Sequence, residues 1–163
     1  MKKIFLFIFL ASIGFTHGQE LPTIPANGFS FSLGTKFSIK LVAIDSINFD
    51  YSVIEFEKFD SIIDTYDNDS LFKVPGRDST ITFYFCLGTY GESKSERKHN
   101  MQVLLIMKNY SKIALSYSSD IQREQDGEYE STSNVGSFPG ATGMEMWPYK
   151  IYMIGLRGFK RYK

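Results

Sequence analysis

Few residues in this sequence have the types that do chemistry, and their spacing limits what they can do. There are two histidines, His17 and His99, and one cysteine, Cys86. A histidine that activates a nucleophile must sit beside a serine or cysteine and be oriented by a third group. His99 lies among Lys94, Arg97 and Lys98 in a charged run from Glu92 to Asn100, so it is expected to be a surface histidine without a catalytic role. A lone cysteine excludes an internal disulfide. Cys86 alternates with Phe83 and Phe85 and falls on the opposite face, where a half-buried, inert thiol is expected. Glu55 and Glu57 share one strand face. Paired carboxylates can hydrolyse glycosidic bonds, but only when they flank the substrate from two sides. Two neighbours on one face supply no second wall and read as solvated charge.

Asp60, Asp64, Asp67 and Asp69 crowd a short stretch and call for a calcium test. With Asp67 as the first ligand of an EF-hand loop, Asp69 takes the third position. Leu71 then falls on the fifth and Phe72 on the glycine position, so the regular loop fails. An irregular oxygen-ligand site and a solvated Asp- and Ser-rich turn remain the two readings. Zinc-type clusters, a Gly-x-Ser-x-Gly elbow, a phosphate-binding Walker loop and a dinucleotide fingerprint are all missing from the sequence. The expectation is therefore no enzyme activity, no catalytic residue, no metal and no cofactor. Trp147-Pro148-Tyr149 could stack on a sugar ring if exposed, but a sole tryptophan usually packs inside. Arg157, Lys160, Arg161 and Lys163 form a basic C-terminal patch that could touch acidic surfaces, although charged ends also protect edge strands from pairing.

The elements that must position these residues read as strands almost throughout. Phe29, Phe31 and Leu33 alternate with serines, as do Phe37, Ile39 and Leu41 with Ser38 and Lys40. Ile47, Phe49, Tyr51 and Val53 continue the pattern. Glu55 and Glu57 keep Val53's parity, so this strand either ends near Ile54 or switches its buried face there, as a bulge would make it do. Ile81, Phe83, Phe85 and Leu87 form the clearest strand. Met101 to Met107 is apolar on both parities apart from Gln102, the pattern of an inner strand covered on both faces. Ile113, Leu115 and Tyr117 alternate again, and Tyr149 to Leu156 is the last strong strand. Residues 60–70, 89–100 and 119–143 read as polar connections, with room for one short helix in 119–130. Short strands separated by turns predict an all-β fold, an antiparallel β-sandwich of the immunoglobulin-like kind, with a small up-and-down β-barrel as the alternative.

The N-terminus sets the compartment. Lys2 and Lys3 precede an apolar run from Ile4 to Phe15, and Gly18 closes a short, small-residue stretch. This is the layout of a secretory signal peptide, and the run is shorter than the ~20 residues a membrane span needs. The organisation expected is a signal peptide at 1–18, an extended, proline-containing lead-in at 19–28 and one domain at 29–163. A cut before Gln19 resembles the leaders of exported Bacteroidetes proteins. Lys and Arg together number 18, as do Asp and Glu, which argues against electrostatic capture of nucleic acid.

Asp45-Ser46-Ile47, Asp60-Ser61-Ile62 and Asp69-Ser70-Leu71 repeat one pattern, Asp-Ser-apolar. It resembles the O-glycan acceptor motif of exported Bacteroidetes proteins, a resemblance that implies Ser46, Ser61 and Ser70 as acceptors. The plain alternative is that Asp-Ser ends loops before strands begin. The combined expectation is a periplasmic or extracellular, non-catalytic binding or structural module. Its partner is an unidentified protein or glycan, with no nucleic acid and no transmembrane segment in the mature chain. The competing readings are a small carboxylate-dependent hydrolase and a barrel carrying an apolar ligand.

Overall fold

A computed structural model describes Ile8–Phe9, Leu21 and residues 24–162. Apart from the Ile8–Phe9 backbone, the expected signal peptide lies outside the described residues, as do four positions of the lead-in (19, 20, 22 and 23) and Lys163. The strands are β1 (Ile8–Phe9), β2 (Gly28–Ser32), β3 (Thr35–Ala43), β4 (Asn48–Lys58), β5 (Ile63–Asp64), β6 (Thr80–Thr89), β7 (Gln102–Asn109), β8 (Leu115–Gln122), β9 (Tyr129–Thr132), β10 (Thr142–Trp147) and β11 (Met153–Arg161). A short 3-10 helix spans Asp69–Phe72, and an α-helix, α1, spans Lys94–His99.

The fold is all-β, a mostly antiparallel sheet curled into an open half-barrel. Its main run is β9-β8-β11-β4-β3-β6-β7-β10, with β2 sharing one edge of β11 with β4. Among the described strands, only the two-residue β1 and β5 pair in parallel, with β2 and β6. Period-two alternation drives the curl, because one face of each strand is apolar and must be buried. Phe31 stacks on Phe37 at 3.6 Å between ring centres, and Phe37 on Phe83 at 5.1 Å. Tyr117 stacks on Phe159 at 4.9 Å, carrying ring contacts to the other flank.

Two sequence expectations meet their structural counterparts, in β4 and β7. Across β3 and β4, Ser38 faces Glu55 but Ile39 faces Val53, so Ile54 is the extra residue of a bulge. That bulge turns Glu55 and Glu57 outward while Phe56 packs on the core. Val103, Leu105 and Met107 enter the main core, and Leu104 and Ile106 join Tyr84 and Cys86 in a second cluster on the outer face. β7 is thus buried on both faces and paired on both edges, with β6 and β10.

Four details differ from the sequence reading. The polar 60–70 connection also contributes Ile63 to the roof of the outer cluster, beside Phe59, Leu71 and Phe72 on either side of it, and Tyr84 Oη donates to the Leu71 carbonyl at 2.9 Å. Residues 94–99 are helical because Ser93 and Glu96 form a reciprocal capping box. The 119–130 stretch holds no helix; β8 continues to Gln122 and β9 follows. Arg157 makes that extension stable, its guanidinium meeting Asp120 at 2.5 Å between adjacent strands. Finally, Thr142–Trp147 is a strand that takes in the end of the expected 119–143 connection, and the last strand is Met153–Arg161 instead of Tyr149 to Leu156.

Strand β11 changes partner partway along, from β2 to β4, at Gly158, whose φ of +65° is a left-handed conformation natural to glycine. Beside this switch, Tyr51 of β4 closes a gap in the ladder. Its hydroxyl donates to the Leu156 carbonyl at 2.6 Å and accepts from the Phe29 amide at 2.8 Å. Phe29 and Leu156 face each other across β2 and β11, so a side-chain hydroxyl stands between two backbone groups that lie in a fully buried region.

Candidate functional site

Curling the sheet brings its two ends, β9 and β10, toward each other without joining them. Among the described residues β9 pairs only with β8, and β10 only with β7. Side chains span the seam. Trp147 Nε1 donates to Thr132 Oγ1 at 3.3 Å, and Tyr117 Oη on β8 approaches Glu145 Oε1 on β10 at 3.1 Å. Asn134 holds the segment after β9 in place, its Nδ2 donating to the Tyr117 carbonyl at 2.8 Å and its Oδ1 accepting from the Gly136 amide at 3.1 Å. A cleft of about 430 Å³ lies along the seam, between residues 132–135 and 144–149.

Alternation along β10 explains what faces this cleft. Glu145 and Trp147 share the inward parity, whereas Met144 packs on the outer cluster. Glu145 is only 7% exposed, and its Oε2 is buried without a hydrogen-bond partner. Burial pushes its carboxyl up to about 7, against the Tyr117 hydroxyl and the Val135 amide, which favour the charged form. Burial, then the Glu145 charge, raises the Tyr117 phenol well above its ordinary value, so it remains a donor at neutral pH. Among the described residues, Glu145 is the one acidic group lining the cleft, and no basic side chain lines it. Tyr149 stands half-exposed at the rim, with the Arg123 guanidinium 4.3 Å from its ring centre.

The residues singled out from sequence are scattered. His99 is exposed at the end of α1. Cys86 is fully buried rather than half-buried, and burial alone pushes its thiol up to about 12. Glu55 accepts from Ser38 Oγ at 2.9 Å and Glu57 pairs with Lys36 at 2.5 Å, both on the outer face. Glu55 lines a second cleft, of about 330 Å³, beneath the 71–77 loop. The acidic stretch is divided among separate tasks. Asp60 pairs with Lys58, while Asp64 accepts from the Tyr66 and Asp67 amides and pairs with Arg97. Among the described residues, no three acidic, histidine or cysteine side chains gather as a metal would require. The basic C-terminus disperses: Arg157 binds Asp120, and Arg161 Nε donates to the Ser46 carbonyl.

Trp147 is 5% exposed and belongs to the core, so it fixes the seam instead of presenting a flat platform. Ser46, Ser61 and Ser70 are all exposed. Ser46 sits in the β3–β4 turn, which Asp45 organises by accepting from the Ile47 and Asn48 amides at 2.7 Å. Sequence reasoning missed Glu145. The signal was its parity: it shares a face with Trp147 in a segment whose other face carries Met144 and Met146. No helix among the described residues is long and apolar enough to cross a membrane. No protein-family model, curated protein or solved structure matches the chain.

Proposed function

We propose that this protein is an exported, non-catalytic binding module that takes a glycan at the open seam. The observation that carries the proposal is the seam cleft itself, where a buried, half-satisfied carboxyl meets an aromatic rim. Its size falls within the roughly 300–1,000 Å³ typical of small-ligand sites. Hydroxyl and carboxyl groups beside an aromatic edge suit a sugar, which offers hydroxyls around an apolar ring face.

Each competing reading has less support. Two-carboxylate hydrolysis needs a second acid in the cleft, and Glu145 stands there without one. An apolar cargo needs an interior void, and the stacked rings of Phe31, Phe37 and Phe83 occupy the middle of the sheet's curl. The same packing favours two flanks facing each other across a filled core, the immunoglobulin-like sandwich, over a closed barrel around a ligand. Export rests on the leader at 1–18, with the mature chain beginning at Gln19 and residing in the periplasm or outside the cell. Ser46, Ser61 and Ser70 are proposed as O-glycan acceptors, and their exposure supports access by a modifying enzyme.

The test is an array of bacterial and plant oligosaccharides probed with the chain from Gln19 to Lys163. At least one oligosaccharide should be retained, and Tyr149→Ala, a change at an exposed rim position, should weaken it at least tenfold. An array with no signal above background contradicts the glycan reading. Release of shorter products from a bound oligosaccharide contradicts the non-catalytic one.

A further inference from the structure

The unpartnered oxygen of Glu145 says more about the ligand than the cleft's shape does. A carboxylate offers about four acceptor positions, and here Tyr117 occupies one on Oε1. Oε2 is shielded from bulk water and has no hydrogen bond, which is costly for a charged group. The surroundings offer no protein cation to satisfy it. On β8 the facing titratable group is Tyr117, a donor that is already engaged. On β7 the residue opposite is Leu105, and from the 133–137 segment the Val135 amide faces the carboxyl. Arg123, at the rim, stands over the Tyr149 ring and pairs with Glu130 at 3.7 Å. Lys150 Nζ stands over the Tyr152 ring and donates to its hydroxyl at 2.8 Å.

We infer that the seam cleft selects a ligand carrying a primary amine, an amino sugar with a free ammonium group, and that Glu145 Oε2 is the atom that receives it. This rests on the glycan reading above and narrows it. An ammonium supplies what Oε2 lacks, a donor and a compensating charge. A neutral hydroxyl would satisfy the hydrogen bond but would not compensate the charge the carboxyl takes on as it ionises.

The fully deacetylated chitotriose and its fully N-acetylated counterpart test this directly, since acetylation replaces each ammonium with a neutral amide, and Glu145→Gln separates the effect of charge from that of the acetyl group. Calorimetry at pH 7 with the chain from Gln19 should give at least tenfold tighter binding for the free amine. Glu145→Gln keeps an acceptor for Tyr117 and removes the charge. It should abolish the preference, so that the two sugars bind with affinities within about twofold of each other. Glu55→Gln removes the same charge from the outer face and should change neither affinity, which separates a specific pair from general attraction of a polycation. Equal or tighter binding of the acetylated form overturns the amine inference and leaves the glycan reading intact. Binding of neither sugar below about 5 mM also overturns it, and the glycan reading is then decided by the array. A preference that persists in Glu145→Gln shows that another group reads the amine and overturns the assignment to Oε2.

Discussion

Replacing Tyr51 with phenylalanine removes one oxygen from the centre of the sheet and should cost far more than a surface hydroxyl would. The ring stays, with its edge contacts to Phe29 and Phe159 at 5.1 and 5.2 Å between centres, so packing is nearly unchanged. Two backbone groups lose their partner: the Phe29 amide and the Leu156 carbonyl. Each lies between fully buried residues, where an unsatisfied polar group costs about 1–3 kcal/mol. Part of that is returned because the tyrosine hydroxyl no longer needs desolvating, which leaves an expected loss of about 2–4 kcal/mol. A domain of this size has about 5–15 kcal/mol in all, so the variant should fold but be distinctly weaker. With a urea dependence of about 2 kcal/mol per M, the midpoint should fall by about 1–2 M at unchanged slope. Tyr149→Phe, at an exposed position, serves as the control and should stay within about 0.5 kcal/mol. A Tyr51→Phe midpoint within 0.3 M of the parent would refute the reasoning. It would mean that β2 and β11 close the gap themselves and make the bond that the hydroxyl now relays.

Other expectations follow from the same geometry. Burial holds the Glu145 carboxyl at about 7 in the folded chain against an ordinary 4.5, so its stabilising contribution is complete below pH 4.5 and is lost as pH rises through 7. The difference is worth about 3 kcal/mol, and Glu145→Gln should gain that much on the parent between pH 4.5 and 8 in denaturant unfolding. A constant offset across that range would contradict the burial of the charge. Asp120 is a clean contrast: burial would raise its carboxyl, but Arg157 and Ser131 outweigh this and hold it below 3.8, so its contribution is lost only in stronger acid. Cys86 should resist a water-soluble disulfide reagent until the chain unfolds, and Cys86→Ala should cost about 1–2 kcal/mol through the small void it leaves. Rapid labelling of the native chain would show that the outer cluster opens. Protein exported by its native host should exceed the polypeptide mass by O-linked glycan, and a triple Ser46, Ser61 and Ser70 to Ala variant should not. Native material at the bare mass would leave the Asp-Ser pairs as turn formers only.

Strands with strict alternation were legible because a half-buried strand must alternate. The Ile54 bulge was legible from a parity change at Glu55, and the two-sided burial of β7 from the unbroken run Val103 to Met107. β10 was hidden because its inward face carries Gly143 and Glu145 where an apolar pair would have announced a strand. The outer cluster was hidden because its roof comes from isolated apolar residues, Ile63 and Leu71 among them, inside an acidic stretch. The capping box at Ser93 and Glu96 was present in the sequence, but α1 has no apolar face to make its period visible. The seam could not be read at all. It exists because β9 and β10, consecutive in the chain, lie at opposite ends of the strand order and face each other unpaired, and no local pattern encodes that order. Trp147 and Glu145 acquire their roles only from Thr132 and Tyr117, on the other side of it.

The chain carries a single tryptophan, and it sits in the seam, so one signal reports on the site alone. The decisive measurement is a ¹⁵N-correlated NMR titration of the chain from Gln19 with an oligosaccharide retained on the array. The account predicts that the Trp147 indole N–H and the amides of residues 132–135 and 144–149 shift together, saturating at the affinity found by calorimetry. Saturable binding that moves amides on the outer face around Lys36 and Arg77, while the indole signal stays still, would contradict it and move the site to the other side of the sheet.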